Sequence, residues 1–272
     1  MPELPEVETI ARGLAKRVTG DVIESIWLGS KPEPLKSSAA EIEAAVVSKT
    51  ILNVRRSGKH IVFDLGSPFP ATNAAAAQWI VHLGMTGRLL VCAPETEIAK
   101  HTHAILRLRS ERELRFVDPR RFGRLAVIEK FAPPGAEPLT ISPAEFTRLF
   151  RGRNTPIKSA LLNQKLLSGV GNIYADESLY RAGVRPRRRA ASLTHDELRL
   201  LHKGLKQVLR EAIRLGGSTI SNYVDSDGEE GFFQLKHRVY GREGEPCRKC
   251  GTQIKRIVIA GRSSHYCAKC QK

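Results

Sequence analysis

Two groups of residues have the types and spacing that can do chemistry. The first is the opening stretch, Met1-Pro2-Glu3-Leu4-Pro5-Glu6-Val7-Glu8. Met1 precedes a small residue, so its removal by an aminopeptidase is expected, and Pro2 then carries a secondary amine at the N-terminus. An α-amino group titrates at about pH 8, well below a lysine, so a useful fraction is unprotonated at neutral pH. Such an amine attacks an electrophilic carbon and gives a positively charged iminium, the Schiff-base route of covalent catalysis. Glu3 is beside it and can give or take a proton. The same stretch also reads as a helix start. Pro5 suits a first helical position, and Glu6 and Glu8 suit the positive end of the helix dipole. Local sequence leaves both readings open.

The second group is Cys247-x2-Cys250-x16-Cys267-x2-Cys270, two thiolate knuckles at zinc-ribbon spacing. Four thiolates complete a tetrahedral zinc and leave no open position, so one structural Zn2+ is predicted. Between the knuckles, Ile254 to Ile259 and Ser263 to Tyr266 read as a hairpin turning at Gly261-Arg262, with Arg262 at its tip. Residues 240–272 carry eight Lys/Arg against two Glu. A basic hairpin with so little core of its own needs the metal to fold. Cys92 stands alone at the end of an apolar run and reads as a packed core thiol.

Four further spots are ambiguous one by one. Gly58-Lys59 interrupts an apolar strand; glycine there suggests close approach of a backbone or ligand, and Lys59 is a phosphate contact or an ordinary exposed lysine. In His82-Leu83-Gly84-Met85-Thr86-Gly87, glycines flank Met85, which is either presented on a tight turn or part of the core. Asp118-Pro119-Arg120-Arg121-Phe122-Gly123 puts arginines and an aromatic on a turn. Arg120 and Phe122 together can meet a base edge and wedge a stack, or the turn is merely solvated. Gly169-Val170-Gly171-Asn172 precedes a helix whose N-terminus suits a phosphate, or it only packs two helices together. The nearby Arg185-Pro186-Arg187-Arg188-Arg189 adds charge and by itself is a solvated face.

The elements that must position these residues follow from periodicity. Val7, Ile10, Ala11, Leu14 and Val18 recur at helical spacing, which predicts an amphipathic helix over 5–18 stopped by Gly20. Residues 21–30 and 51–65 read as strands, and Ser38-x-x-Glu41 opens a short helix with a capping box between them. Strand signals continue over 78–92 and 103–130. The first half is therefore β-rich, two packed sheets with flanking helices. A Pro-rich linker over 132–142 precedes helices that start at Ser142-Pro143-Ala144-Glu145, Thr155-Pro156, Asn172 and Thr194-x-x-Glu197. The stretch 217–235 lacks periodicity, and a loop of that length is often functional. The expected fold is α+β: a sandwich domain over 1–131, the linker, a helical domain with its loop over 143–235, and a zinc hairpin over 236–272.

At 272 residues the chain can hold two cores. Lys+Arg number 44 against 28 Asp+Glu, a net charge of +16, which points to a polyanion, most commonly nucleic acid. The acidic, polar start carries no signal peptide pattern. No apolar run approaches the roughly 20 residues of a membrane-spanning helix, so no membrane partner is expected, and the thiols are expected to stay reduced or bind metal.

Taken together, in order and spacing, these motifs resemble bacterial formamidopyrimidine-DNA glycosylase, the 8-oxoguanine repair family. The resemblance covers the opening octapeptide, Gly58-Lys59, His82-Leu83-Gly84-Met85, Asp118-Pro119-Arg120-Arg121-Phe122-Gly123, Gly169-Val170-Gly171-Asn172-Ile173-Tyr174-Ala175-Asp176-Glu177 and the four cysteines. It implies a β-sandwich, a helix–two-turn–helix domain and a zinc hairpin, with double-stranded DNA carrying oxidised bases or abasic sites in the cleft. It implies attack by Pro2 on C1′ of the damaged nucleoside, sugar-ring opening assisted by Glu3, support from Glu6, and strand elimination helped by Lys59 and then Arg262. His82, His101, Arg153, Lys158, Asn172 and Arg262 would hold the DNA backbone, with Arg153 in a loosely matching region. Met85, Arg120 and Phe122 would fill the gap left by the flipped base. A cytoplasmic monomer acting on nucleoid DNA is implied as well.

Two rivals stay in view. The endonuclease VIII type, which removes oxidised pyrimidines, resembles Pro-Glu-Gly-Pro-Glu at its start; Leu4 and the Met85, Arg120, Phe122 set favour the purine branch. A non-catalytic zinc-ribbon DNA-binding protein explains the charge and the cysteines but has no use for Pro2 and Glu3. An RNA-binding role is disfavoured by 6% aromatic content without a stacking platform. Residues 70–78 and 93–100 carry no assigned role.

Overall fold

The spacing of apolar residues in the opening helix determines which face docks. In the computed structural model, which describes residues 1–67, 77–219 and 228–272, α1 (Leu4–Val18) buries Leu4, Val7, Ile10, Ala11, Leu14 and Val18. Most of the 70–78 stretch and the middle of the 217–235 loop lie outside the described residues.

The chain forms two compact units, Met1–Ala132 with Gly216–Gly231, and Pro133–Leu215 with Phe232–Lys272. In the first, β1 (Ile23–Leu28), β6 (Thr102–Leu108), β7 (Glu113–Val117) and β5 (Arg88–Cys92) form one four-stranded sheet in that order. The second sheet runs β2 (Thr50–Ser57), β3 (His60–Gly66), β4 (Ala77–His82), β8 (Arg124–Ile128). All pairings within both sheets are antiparallel. One apolar core joins them, with Ile61, Phe63, Trp79 and Val81 from one sheet and Ala104, Leu106, Leu114 and Phe116 from the other. The α1 stripe and Ile42 and Val46 of α2 (Ala39–Val46) close the same core.

The segment read as one strand over 51–65 is instead a hairpin. Ser57 pairs with His60 across the turn Gly58-Lys59, and Gly58 has φ 61, a left-handed value that glycine adopts without strain. The flanking residues Ile51 to Val54 and Ile61 to Leu65 both carry strand signals, so the interruption at Gly58-Lys59 reads as a break within one strand when it is the turn between two. Cys92 also departs from its reading: it ends β5 half-buried, outside the core, with Sγ 3.9 Å from the Glu113 carbonyl.

The second unit is helical. Capping boxes open α3 (Pro143–Phe150) at Ser142/Glu145 and α6 (His195–Arg214) at Thr194/Glu197, as their spacing predicts. Between them lie α4 (Ile157–Leu162) and α5 (Asn172–Ala182), the latter ended by Gly183 in a left-handed conformation. The α6 stripe of Leu198, Leu201, Leu205, Val208, Leu209 and Ala212 is buried. β9 (Ile254–Ile259) and β10 (Arg262–Cys267) make the two-stranded hairpin, with Arg262 opposite Ile259 at the turn. Among the described residues no helix is long and apolar enough to cross a membrane.

Candidate active site

The start of α1 fixes its own carboxylates. Glu3 stands just before the helix in an extended conformation, and its backbone N–H donates to Glu6 Oε2 at 2.8 Å. Glu6 Oε1 accepts the Ser218 N–H, also at 2.8 Å. Glu6 therefore ties the helix start to the beginning of the Gly216–Gly231 segment. Gly217 makes that approach possible: its φ is +85, and a Cβ there would lie 2.8 Å from Glu6 Oε1. Glu3 and Glu6 are 4% and 2% exposed, and Lys59, in the β2–β3 turn, is 9% exposed.

These charges share one neighbourhood with the chain's amine. Burial lowers the Met1 α-amino group from its ordinary value; Glu3 and Glu6 pull it back up, and Lys59 and Arg120 push it down further. Burial penalises the charged amine, so the terminus is biased toward the neutral, nucleophilic form. Pro2 is half-buried at the same spot.

Next to it, β3 and β4 bring His60 and His82 together, with ring centroids 4.9 Å apart. His60 also lies 4.8 Å from the Phe131 ring. Burial, then His60, Lys59 and Arg124, hold the His82 imidazole down at about 4. His82 is neutral at pH 7, and its Nδ1 accepts the Gly84 N–H at 3.1 Å, which leaves the proton on Nε2. Met85 and Phe122 are 40% and 52% exposed, and the Arg120 guanidinium lies 4.8 Å over the Phe122 ring. A pocket of about 320 Å³ is lined by Met1, His60, His82, Gly84, Met85, Phe122 and Arg124. His101 is exposed where the chain enters β6, with φ 72. His60 and Arg124 are not singled out by the sequence; His60 follows Lys59 there, whereas Arg124 reaches the site only through its pairing opposite His82 in the sheet.

In the second unit Arg153 is exposed after α3, its Nε donating to the Leu149 carbonyl at 2.6 Å. Asn172 opens α5 and donates from Nδ2 to Ser263 Oγ at 3.2 Å. Arg262, exposed at the hairpin turn, precedes that serine. Lys158, expected to hold the DNA backbone, lies in the interior instead. It is fully buried, with Nζ 2.6 Å from Asp176 Oδ1 and donating to the Ser263 carbonyl at 2.5 Å. Asp176 Oδ2 in turn accepts the His265 N–H at 2.8 Å. Lys158 thus holds β10 against α5. Glu177, whose carboxyl burial pushes up, accepts the backbone N–H groups of Arg238, Val239 and Tyr240. Sequence reasoning treated Asp176 and Glu177 only as helix residues.

The four cysteines converge, with all ligand atoms within 4.8 Å of one another. Cys250 and Cys267 Sγ are 3.4 Å apart and Cys247 and Cys270 Sγ 3.9 Å. A tetrahedral zinc with Zn–S bonds of about 2.3 Å needs S···S edges of about 3.8 Å, so the donor set fits. Four thiolates close the coordination shell, and the ion is structural.

A sandwich with its amine terminus among carboxylates, a helical unit and a closed zinc hairpin define a zinc-finger protein of α+β class. Family models match along the chain: the formamidopyrimidine-DNA glycosylase N-terminal domain over residues 1–125, its H2TH domain over 134–224, and the zinc finger found in FPG and IleRS over 244–272. A formamidopyrimidine-DNA glycosylase of Solibacter usitatus is 42% identical over 282 residues, covering all of both chains. The complex of Lactococcus lactis Fpg with abasic-site DNA superposes with a TM-score of 0.88 at 32% identity, covering 99% of each chain. MutM in complex with DNA containing carbocyclic 8-oxo-G gives 0.88 at 33% identity over the whole of both chains. The chain belongs to the formamidopyrimidine-DNA glycosylase family, a family of DNA glycosylase/AP lyases.

Proposed function

We propose that this enzyme excises oxidised purines, 8-oxoguanine and formamidopyrimidines, from duplex DNA and then cuts the strand by β,δ-elimination. With Met1 removed, the Pro2 nitrogen attacks C1′. The N-glycosidic bond breaks, its electron pair leaves with the base, and the base takes up a proton. Glu3 protonates O4′ as the sugar ring opens, which gives an iminium between Pro2 and C1′. That cation acidifies C2′–H; loss of the proton expels the 3′ phosphate, assisted by Lys59. A second proton loss, at C4′, expels the 5′ phosphate, assisted by Arg262. Water then adds to C1′ of the iminium, which releases the unsaturated sugar remnant as an aldehyde and returns the Pro2 amine.

Flipping the base costs a few kcal/mol, and Met85, Arg120 and Phe122 fill the gap. His82 through its Nε2–H, His101, Arg153, Asn172 and Arg262 hold phosphates. Lys158 serves them indirectly, by fixing Ser263 beside Arg262. Leu4 and the Met85, Arg120, Phe122 set favour purine over pyrimidine lesions, and a relative's complex with 8-oxo-G DNA supports the same choice. The division of labour is a catalytic sandwich (1–131), a linker (132–142), a DNA-binding helical domain (143–235) whose lesion loop over Gly216–Gly231 groups with the sandwich, and a zinc hairpin (236–272). The enzyme works as a monomer on nucleoid DNA in the cytoplasm.

The observation that carries this reading is the position of Pro2, half-buried directly before the buried, hydrogen-bonded pair Glu3 and Glu6; the Met1 α-amino group that precedes it feels Glu3, Glu6, Lys59 and Arg120. Pro2→Gly tests it: single-turnover base release and strand cleavage on an 8-oxoguanine duplex fall by orders of magnitude. Near-normal cleavage overturns it.

A further inference from the structure

Asp118 belongs to a motif prominent in the sequence, yet the mechanism above gives it nothing to do. It is fully buried at the end of β7. Its Oδ1 accepts the Thr86 hydroxyl at 2.5 Å and the Arg120 N–H at 3.3 Å. Its Oδ2 accepts the Gly123 N–H at 2.7 Å. Its own N–H donates to the His101 carbonyl at 3.0 Å, and its carbonyl lies 3.0 Å from His103 Nε2. One carboxylate thus holds Thr86, next to Met85, and both flanks of the turn that carries Arg120 and Phe122.

A second observation points the same way. A Cβ on Gly84 would sit 2.5 Å from both Gly123 N and Phe122 C. The two turns touch backbone to backbone at Gly84 and Gly123, with no side chain between them. On its far side, Gly84 donates to His82 Nδ1. With the Arg120 guanidinium over the Phe122 ring, the exposed tips belong to one braced body.

We propose that Asp118 and Thr86 are positioning residues that lock the Met85 turn to the Arg120–Phe122 turn, so that the three side chains enter the duplex as a single preformed wedge. The physical reason is entropic. Two separate exposed turns would have to be ordered as they insert, and that cost is subtracted from what the inserted groups gain. A buried carboxylate filled by several donors removes the freedom in advance, and hydrogen bonds to an ionised acceptor are the strong ones. The proposal rests on the wedge role given to Met85, Arg120 and Phe122.

The test uses the zinc-loaded full chain in single-turnover assays on two duplexes, one with 8-oxoguanine opposite cytosine and one with a ready-made abasic site. Thr86→Val removes the hydroxyl and is expected to slow excision about tenfold, the scale of one lost charge-assisted hydrogen bond. Cleavage at the abasic site changes by less than about twofold, because no base has to be displaced before Schiff-base formation. Thr86→Ser, which keeps the hydroxyl, restores excision. Thr86→Ala makes no demand on the surrounding packing and must repeat the Thr86→Val pattern. Equal losses on both duplexes, no loss on either, or failure of serine to rescue overturns the lock. Phe122→Ala run alongside separates the two layers. If it loses equally on both duplexes, the wedge itself is refuted. If it is selective while both Thr86→Val and Thr86→Ala are not, only the lock is refuted.

Discussion

Lys158→Met is the perturbation that most sharply separates an interior role from a phosphate contact. The Lys158 and Asp176 side chains are 1% and 0% exposed, with Nζ and Oδ1 2.6 Å apart. Removing the ammonium leaves the Asp176 carboxylate buried with the His265 N–H at 2.8 Å and Nδ1 at 3.2 Å. It also strips the Ser263 carbonyl of a donor. Breaking one partner of a buried pair costs about 3–5 kcal/mol, because the other charge stays desolvated. At roughly 3 °C per kcal/mol for a unit of this size, the thermal midpoint of the second unit falls by about 10–15 °C. Calorimetry of the zinc-loaded enzyme reads this directly. Adding Asp176→Asn removes the stranded charge and keeps an acceptor for the His265 N–H, so the double variant recovers more than half of the loss. A midpoint within about 2 °C of wild type for Lys158→Met, together with a salt slope of DNA binding flattened by about 1, would refute the reasoning. It would mean that Nζ reaches phosphate and the buried pair is not the working state.

Other outcomes follow from the same geometry. Stripping zinc leaves the hairpin with a core of little more than Val239, Cys247, Ile254 and Cys267, so amide exchange over 240–272 rises sharply and duplex affinity falls; retained protection after complete metal removal contradicts the structural assignment. His82 is held at about 4 against an ordinary 6.5. Between those values the unfolded chain binds the proton and the folded chain does not, so stability falls as pH is lowered through that window. His237, also held at about 4, adds a contribution of the same sign. His82→Asn should reduce the slope of unfolding free energy against pH from 6.5 to 4 in urea melts; an unchanged slope counts against a buried neutral imidazole.

What could be read from sequence is what closes locally. The pairs Ser38/Glu41, Ser142/Glu145 and Thr194/Glu197 each bond within one turn, so spacing alone locates three helix starts. The α1 and α6 stripes and the cysteine knuckles have the same character. The site is less legible because its partners are distant along the chain. Glu6 meets Ser218, 212 positions away, and nothing near either residue announces the other. Lys158 sits on a six-residue helix and is expected at the DNA backbone; Asp176 and Ser263, brought by α5 and β10, make it interior. Gly58 shows the converse failure. Strand-forming residues lie on both sides of it, so the stretch reads as one strand, and the left-handed turn at Gly58 is what separates β2 from β3.

The central claim is that the chain's own second residue is the nucleophile. Borohydride trapping tests it on a duplex with one 8-oxoguanine opposite cytosine, beside a thymine-glycol duplex, followed by peptide mapping of the adduct. The expected result is a covalent protein–DNA species attached at the Pro2 nitrogen, with the larger yield on the 8-oxoguanine duplex. Attachment at a lysine, or intact DNA binding with no trapped species on either duplex, would contradict it.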